Sequence, residues 1–298
     1  MNAIVNFNNL NNVMYEQVET RFDHDFGVVW SIMQPEPRPC FNKICLSELL
    51  HHQLDIRHNN GVMPSQGKPY QVNYHVFSSN VKGVFNLGGD LSIFKQLILA
   101  KDRAHLLEYA TMCIDNVWNF YHMDAPITTI ALVQGQAMGG GFEAALSAHV
   151  MVAEKSAMMG FPEVLFNLFP GMGALSFLTR KIGLSEAEKL VRSGKVYTGE
   201  ELYALGVVDV LAEDGQGEIA MQQWIKKNHR SLNSHQAITR AKQRINPLKY
   251  EELYDITEVW VDAALNLNEK NLKVMDRLIR AQNTKVKEVC QPDIKMTA

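Results

Sequence analysis

The chain has few cysteines, and their spacing argues against the usual structural roles of that residue. Only four occur among 298 residues, with neither a CxxC pair nor another spacing typical of metal ligands. The ten histidines are scattered, with no HExxH pair. We therefore expect reduced thiols, no metal and no redox cofactor. The cysteines are Cys40, Cys45, Cys113 and Cys290.

The sequence also lacks a membrane-spanning run and an excess of basic charge. No stretch approaches the roughly 18 apolar residues of a transmembrane helix. The N-terminus has neither the basic nor the long apolar segment of a signal peptide. The formal net charge of −3 argues against general nucleic-acid binding. These features predict a cytoplasmic protein that binds neither membrane nor nucleic acid.

Apolar residues make up 46% of the chain and charged residues 20%, which is typical of a globular protein with a real core. Strand-like segments at residues 26–33, 70–77 and 127–133 alternate with helical patterns. This alternation predicts an α/β core over residues 21–215, followed by a helical C-terminal region over 216–298. The Asn-rich residues 1–20 are predicted to form a mobile lead-in.

Residues 134–173 are the most informative stretch. Gly139, Gly140 and Gly141 follow an apolar strand-like run and open a helical pattern. Glycine weakens helices and strands, so this run favours a place where the backbone closely approaches a ligand. A helix N-terminus there also offers free N–H groups. Glu143 comes one helical turn after Gly140, which places its carboxylate on the same side as the Gly140 amide.

A second carboxylate, Glu163, follows Pro162 among mostly apolar neighbours. Apolar surroundings raise the pKa of a carboxyl group and suit it to acid or base catalysis near neutral pH. Each feature also has a structural explanation when taken alone. Glu143 could simply stabilise a helix N-terminus by about 0.3–1 kcal/mol, and Glu163 could be a first-turn acid after an N1 proline. The glycines could allow tight packing of a helix against a strand. The glycine run, Glu143 and Glu163 taken together favour a catalytic site.

Another glycine turn ends the strand-like segment at 85–90, FNLGGD, where Asp90 is suited to cap the next helix. These motifs, with PGMG at residues 170–173, resemble the crotonase (enoyl-CoA hydratase/isomerase) superfamily from about residue 26 to the C-terminus. The resemblance implies an α/β fold of the ClpP/crotonase type, with a repeated ββα spiral core and an α-helical C-terminal region.

The resemblance also implies roles for particular residues. The amides of Gly89, with Gly88 beside it, and of Gly140 would form an oxyanion hole for a thioester carbonyl. Glu143 and Glu163 would be the two catalytic glutamates. Two fixed amides would stabilise the enolate that forms when the α-proton leaves, and the two carboxylates would serve as base and acid.

Within the superfamily, three segments of the sequence resemble those of the diffusible signal factor synthases. They are FNLGGDL, GGGFEAALS and MMGFPEVLFNLFPGMGA. That branch makes cis-2-unsaturated fatty acids for bacterial quorum sensing. The resemblance implies dehydration of a 3-hydroxyacyl-[acyl carrier protein] to a cis-2-enoyl thioester, and thioester hydrolysis to the free acid. Phe142 departs from ordinary hydratases, which usually carry a small residue there.

The resemblance to this branch also implies binding partners and an oligomeric state, and two alternative functions stay open. The donor would be an acyl carrier protein or acyl-CoA, the assembly a homotrimer or hexamer, and a sensor kinase a possible partner. One alternative is a plain enoyl-CoA hydratase of fatty-acid oxidation. Another is a crotonase-fold regulatory binding protein, although two intact glutamates argue against a pure binder.

Two further groups of residues are candidates for binding the acyl chain and the carrier protein. Large apolar side chains are candidates for an acyl pocket, because methionine adapts to flexible chains, with ordinary core packing as the alternative. They are Met158, Met159, Phe169, Met172 and Leu175. Basic residues on one face of the last helix are candidates for docking an acidic carrier protein, with a merely solvated face as the alternative. They are Lys270, Lys273, Arg277 and Arg280. His149 is predicted to be structural.

Overall fold

The computed structural model describes residues 5–6, 14–65, 68–123 and 126–290. The strands are β1 (Val5–Asn6), β2 (Val18–Asp23), β3 (Val28–Met33), β4 (Val62–Ser65), β5 (Lys68–Gln71), β6 (Tyr74–Ser79), β7 (Val84–Asn86), β8 (Thr128–Val133), β9 (Gln136–Met138), β10 (Val150–Glu154), β11 (Met158–Gly160), β12 (Val196–Thr198) and β13 (Val210–Ala212).

The helices alternate with the strands as far as β13, and helices then follow one another from Gly217 to Cys290. They are α1 (Lys43–His58), α2 (Leu91–Leu99), α3 (Arg103–Tyr121), α4 (Gly140–Leu146), α5 (Ala174–Ile182), α6 (Leu184–Ser193), α7 (Gly199–Ala204), α8 (Gly217–Asn228), α9 (Leu232–Ile245), α10 (Tyr250–Leu265) and α11 (Glu269–Cys290). Short 3-10 helices span Pro162–Phe166 and His229–Ser231.

The larger sheet has the strand order β1-β2-β3-β6-β8-β10-β13 within the described residues. Its first pairs are antiparallel, and the strands from β3 onward are parallel. Every residue of β8 is buried, which is typical of a central parallel strand covered on both faces. This sheet is the framework from which the shorter strands extend.

A smaller sheet has the order β12-β11-β9-β7, and its short strands repeat one arrangement. Each of β7, β9 and β11 comes shortly after a strand of the larger sheet and leads into a helix. Because β7, β9 and β11 are parallel neighbours, the helices that follow them begin at one edge. This repeated ββα unit brings the starts of α2, α4 and the 3-10 helix Pro162–Phe166 together.

Two apolar clusters hold these elements in place. The larger one lies around α1, α3, α4 and α5, against the larger sheet. The second joins α2 and α3 to the C-terminal helices, with Trp260 of α10 and Met275 of α11 among its buried members. The C-terminal helices therefore pack directly over the edge where α2 and the 3-10 helix Pro162–Phe166 begin.

The structure refines several boundaries that the sequence suggests. The segment predicted at residues 70–77 is divided between β5 and β6, because Gln71 and Tyr74 are separated by a break in pairing. Strand β2 begins at the buried Val18, near the end of the lead-in predicted at residues 1–20. Most of that lead-in lies outside the described residues. The division into a core over 21–215 and a helical region over 216–298 stays a proposal.

Candidate active site

The glycine run at residues 139–141 is explained by three close approaches of other groups. Gly139 has a φ of +51°, and a Cβ there would lie 2.2 Å from Oε1 of Glu163. A Cβ on Gly141 would lie 2.1 Å from the carbonyl oxygen of Asn86. A Cβ on Gly140 would meet the Met172 sulfur at 3.3 Å. Any side chain at Gly139 or Gly141 would therefore displace a neighbouring element.

The turn after β7 leaves one amide free. The N–H of Gly88 donates to Oδ1 of Asn86 at 2.7 Å, and the carbonyl of Gly88 accepts from the N–H of Phe41 at 2.8 Å. In a trans peptide the N–H points opposite to the carbonyl, so the Gly89 N–H points away from Phe41. Within the described ranges it has no protein acceptor. The N–H of Gly88 is thus already hydrogen-bonded, and the N–H of Gly89 is the one that can donate to a ligand.

The second free amide belongs to Gly140, the first residue of α4. The carbonyl of Gly139 accepts from the N–H of Glu143 at 3.0 Å, which directs the Gly140 N–H outward from the helix N-terminus. A Cβ built on Gly140 would lie 3.7 Å from the Gly89 nitrogen. Both glycines line the same cavity. The two amides therefore lie close together on the wall of one cavity.

Glu143 is buried and lines the same cavity. Its Oε1 accepts hydrogen bonds from the N–H groups of Met172 at 2.7 Å and Ala174 at 2.9 Å. Burial raises the pKa of the Glu143 carboxyl to about 7, and the two backbone donors partly oppose that rise. The PGMG turn at residues 170–173 thus fixes this carboxylate in position.

Glu163 lies in the first turn of the 3-10 helix, after Pro162. Its Oε2 is buried and has no hydrogen-bond partner among the described residues. Burial raises the pKa of Glu163 to about 8, and the nearby charge of Glu143 adds to the rise. The two carboxyl groups therefore titrate near neutral pH, where each can give or accept a proton.

Both glutamates and both free amides line one cavity. Much of the remaining wall is apolar and aromatic, and Phe94 contacts both Tyr109 and Trp260 edge to face, with ring centroids 5.2 Å apart in each pair. An aliphatic chain fits such a wall. The apolar wall includes Leu91, Phe94, Ala110, Phe166, Leu168, Met172 and Trp260.

The structure places only one of the five predicted pocket residues on this wall, namely Met172. Met158 and Met159 belong to β11, where Met159 is fully buried in the larger cluster. Leu175 packs against that cluster and Phe169 against the second one. The prediction missed Phe94 and Trp260, because residues far apart in the chain give no local signal of a shared wall.

Phe142 and His149 are structural, like Asp90. The Phe142 ring stacks on Phe161 with centroids 4.9 Å apart, and both rings are buried in the core. The ring nitrogens of His149 contact the N–H of Thr129 and the carbonyl of Tyr121. Asp90 caps α2 by accepting from the N–H of Ser92 at 2.9 Å, as predicted.

The predicted basic residues of α11 are all exposed: Lys270, Lys273, Arg277 and Arg280. The opposite face of α11 buries Leu272 and Met275. The side chains of Cys40, Cys45 and Cys113 are free and buried, while that of Cys290 lies outside the described part.

Among the described residues, no three acidic, histidine or cysteine side chains are grouped so that they could hold a metal ion. In the same residues, no helix is long and apolar enough to cross a bilayer.

The raised pKa of Glu163 predicts a pH-dependent stability. A folded-state pKa of about 8, above the model-peptide value of 4.5, means that the folded protein retains a proton that the unfolded chain loses. Its stabilising contribution is full below about pH 4.5 and is lost as the pH rises through about 8. We expect the Tm of Glu163→Gln to fall less between pH 6 and pH 9 than that of the wild type.

Scanning calorimetry at several pH values measures this difference. Glu251→Gln, an exposed glutamate in the first turn of α10, is the control and should keep the wild-type pH dependence. Equal slopes for Glu163→Gln and the wild type would show that burial does not perturb this carboxyl group.

Comparison with known proteins agrees with this geometry. Residues 68–257 match the family model described as enoyl-CoA hydratase/isomerase. The human protein "Enoyl-CoA hydratase domain-containing protein 2, mitochondrial" is 31% identical over 208 residues, which cover 69% of this chain and 66% of that protein. A "Probable enoyl-CoA hydratase" of Bacillus subtilis is 32% identical over 130 residues, covering 44% of this chain and 48% of that protein.

A solved structure of an enoyl-CoA hydratase from Bacillus halodurans aligns with a TM-score of 0.70 and 22% identity, covering 89% of this chain and 100% of that one. Another, from Geobacillus kaustophilus, aligns with a TM-score of 0.65 and 18% identity, covering 95% and 97%. This likeness confirms the predicted crotonase fold. The chain spans less than two thirds of the length of the curated relatives named above.

Proposed function

Because the chain belongs to the enoyl-CoA hydratase/isomerase family, we propose that it interconverts a 3-hydroxyacyl thioester and a 2-enoyl thioester by removal or addition of water. One observation carries this proposal. Two carboxyl groups with raised pKa values and two free amides, those of Gly89 and Gly140, line the same apolar cavity.

The amides would act on the thioester carbonyl oxygen. When the α-proton leaves, negative charge develops on that oxygen, and the N–H groups of Gly89 and Gly140 would both donate to it. They are fixed by the backbone before the substrate arrives, so little reorganisation opposes the reaction. Loss of one such donor typically costs about 3–4 kcal/mol of transition-state stabilisation.

The carboxyl groups would transfer the protons. In dehydration, an ionised glutamate takes the α-proton, and the protonated glutamate gives its proton to the 3-hydroxyl group as the C3–O bond breaks. Water and the 2-enoyl thioester result, and the two glutamates have exchanged protonation states. Values of about 7 and 8 for Glu143 and Glu163 favour one ionised and one protonated group near neutral pH. Either assignment of the roles fits this scheme.

We further propose that the product is the free cis-2-unsaturated acid, a diffusible signal factor, released by hydrolysis of the thioester. The support is the resemblance of the sequence around Gly88, Gly140 and Glu163 to that branch. In hydrolysis, one glutamate would activate water to attack the carbonyl, or attack it directly, and the same two amides would bind the tetrahedral oxyanion. Collapse of that intermediate would break the C–S bond and release the donor thiol with a proton. On the direct route, water would then cleave the acyl-glutamate anhydride to give the free acid and regenerate the glutamate. A plain enoyl-CoA hydratase is the second candidate, since the relatives named above carry that name.

The products formed from two different thioester substrates distinguish the signal synthase from the plain hydratase. The protein is incubated with a 3-hydroxyacyl-[acyl carrier protein] and with the matching 3-hydroxyacyl-CoA, and the products are identified by mass spectrometry. Free 2-unsaturated acid from the carrier-protein thioester supports the signal synthase. Reversible formation of the enoyl thioester without free acid supports the plain hydratase. No reaction with either thioester contradicts both and favours a regulatory binding protein.

We propose that an acidic carrier protein docks on the exposed basic face of α11. Reversal of two charges, Lys273→Glu with Arg277→Glu, should raise the apparent KM for carrier-protein thioesters in a salt-dependent way, because several surface charges together steer association. A short N-acetylcysteamine thioester should react almost as before.

Steady-state kinetics at low and high salt measure this effect. Lys226→Glu with Lys227→Glu, on the last turn of α8, is the matched control and should leave both substrates unaffected. If both substrates respond equally to the α11 variant, or neither responds, this face is not the docking site.

We also propose that the protein assembles with copies of itself. Ile238 and Ile245 on α9 have exposed fractions of 56% and 84%. A homotrimer or hexamer would bury them at an interface between subunits. A sensor-kinase partner is proposed on the resemblance alone, as is a cytoplasmic location.

A further inference from the structure

The turn that carries the Gly89 amide comprises Leu87, Gly88 and Gly89, directly after β7. Its N–H groups at Leu87 and Gly88 donate to the carbonyl of Pro39 and to Oδ1 of Asn86. Gly88 has a φ of +81°, which only glycine adopts easily. A turn of this kind needs fixed carbonyl groups if its one free N–H is to keep a single direction.

Gln282 of α11 supplies that support from far along the chain. Its Nε2 donates to the carbonyl of Leu87 at 3.3 Å and to the carbonyl of Gly89 at 3.2 Å. The side chain is buried, and its Oε1 has no partner among the described residues. The opposite orientation of the amide would place Oε1 against two carbonyl oxygens, so the chemistry favours Nε2 as the contacting atom.

The two carbonyls that Gln282 holds lie on either side of the peptide that carries the free N–H. The carbonyl of that central peptide, at Gly88, accepts from Phe41. All three consecutive carbonyls, from Leu87 to Gly89, therefore have donors. With both flanking peptides and the central carbonyl fixed, the Gly89 N–H is confined to one direction, into the cavity.

Helix α11 makes a second connection to the same turn. Arg38 donates to Oδ1 of Asn283 at 3.2 Å and also pairs with Asp90, the N-cap of α2. The same helix is tied to α2 by the ion pair of Asp276 with Lys95, 2.6 Å long. Its position relative to the turn is therefore fixed independently of Gln282.

We propose that Gln282 is a positioning residue that orients the Gly89 amide toward the thioester oxygen. The proposal rests on the proposed function, because it assigns Gln282 a role in that reaction. Gln282 would not touch the substrate. It would act through two backbone carbonyls, so its loss should weaken stabilisation of the oxyanion more than binding of the thioester.

The test uses Gln282→Met, which keeps the length of the side chain and removes both donated hydrogen bonds. We expect kcat for hydration of a 2-enoyl-CoA to fall about tenfold or more, and KM to change by less than about threefold. The full-length protein is used. Gln243→Met is the matched control, because Gln243 of α9 donates to the carbonyl of Tyr121 at 2.9 Å, away from the cavity wall.

A second readout needs binding but no turnover. The absorption band of bound 4-dimethylaminocinnamoyl-CoA moves to longer wavelength as its thioester carbonyl is polarised. The shift should be smaller in Gln282→Met than in the wild type or Gln243→Met. A shift and a kcat that both equal the control values overturn the proposal.

The two readouts also separate this inference from the proposed function. If the wild type shifts the band without hydrating any enoyl thioester, the proposed reaction fails, and the shift in Gln282→Met still decides the positioning role. If the wild type neither shifts the band nor hydrates a thioester, both proposals fail.

Discussion

Replacing either cavity glutamate with glutamine is expected to lower kcat at least about a hundredfold, equal to about 2.7 kcal/mol of lost transition-state stabilisation. Glutamine at position 143 can still accept the N–H groups of Met172 and Ala174, so the local structure should persist. Each substitution removes the carboxyl group that would transfer a proton. At neutral pH the thermal unfolding temperature of both variants should equal or exceed that of the wild type, because glutamine cannot ionise, whereas the raised pKa values lower the stability of the wild type above about pH 4.5.

Glu154→Gln is the matched control for these substitutions. Glu154 is also buried, and it accepts from Nε2 of Gln134 at 2.9 Å and from the N–H of Gly217 at 3.1 Å, but it does not line the cavity. Its kcat should match the wild type. If Glu143→Gln or Glu163→Gln keeps more than about a tenth of wild-type turnover, a cost below about 1.4 kcal/mol, that glutamate is not essential.

Gly139→Ala should affect both catalysis and stability. A Cβ at this position would lie 2.2 Å from Oε1 of Glu163, and the φ of +51° is strained for alanine. The carboxylate of Glu163 must leave its position beside residue 139, so kcat should fall about a hundredfold or more. The backbone strain should cost roughly 1–3 kcal/mol and lower the Tm by several degrees.

Gly183→Ala separates the two effects. Gly183 has a φ of +83°, so alanine is strained there too, but a Cβ would meet no atom within 4 Å. This variant should lose stability and retain its kcat. Equal losses of kcat in the two variants would show that the Gly139 effect reflects general destabilisation rather than displacement of Glu163.

Local sequence patterns predict the parts of the site that are close in the chain. The glycine run and Glu163 stand out because three consecutive glycines weaken the start of a helix and because a carboxylate is unusual among apolar neighbours, and Glu143 lies one helical turn after the glycines. The cap at Asp90 and the central strand β8 are likewise local, since capping and apolar runs act over a few residues.

Long-range contacts explain what the sequence could not predict. Strands β7, β9 and β11 have three residues each, too few for a clear alternating pattern. Trp260 reaches the cavity, and Gln282 the turn at Gly89, only because the C-terminal helices fold back over α2. Met158 and Met159 follow an apolar pattern that is the same for a core strand and a pocket wall.

Water labelled with ¹⁸O tests the central claim most directly. The protein is incubated with a 2-enoyl thioester in H₂¹⁸O, and the position of the label is found by mass spectrometry. Hydration by the two glutamates places ¹⁸O on C3 of the 3-hydroxyacyl product, and thioester hydrolysis places it in the carboxylate of a released acid. We predict label at C3 that disappears in Glu143→Gln and Glu163→Gln, with carboxylate label in addition if the protein is a signal synthase. A thioester recovered without label at C3, from protein that binds it, would contradict the account.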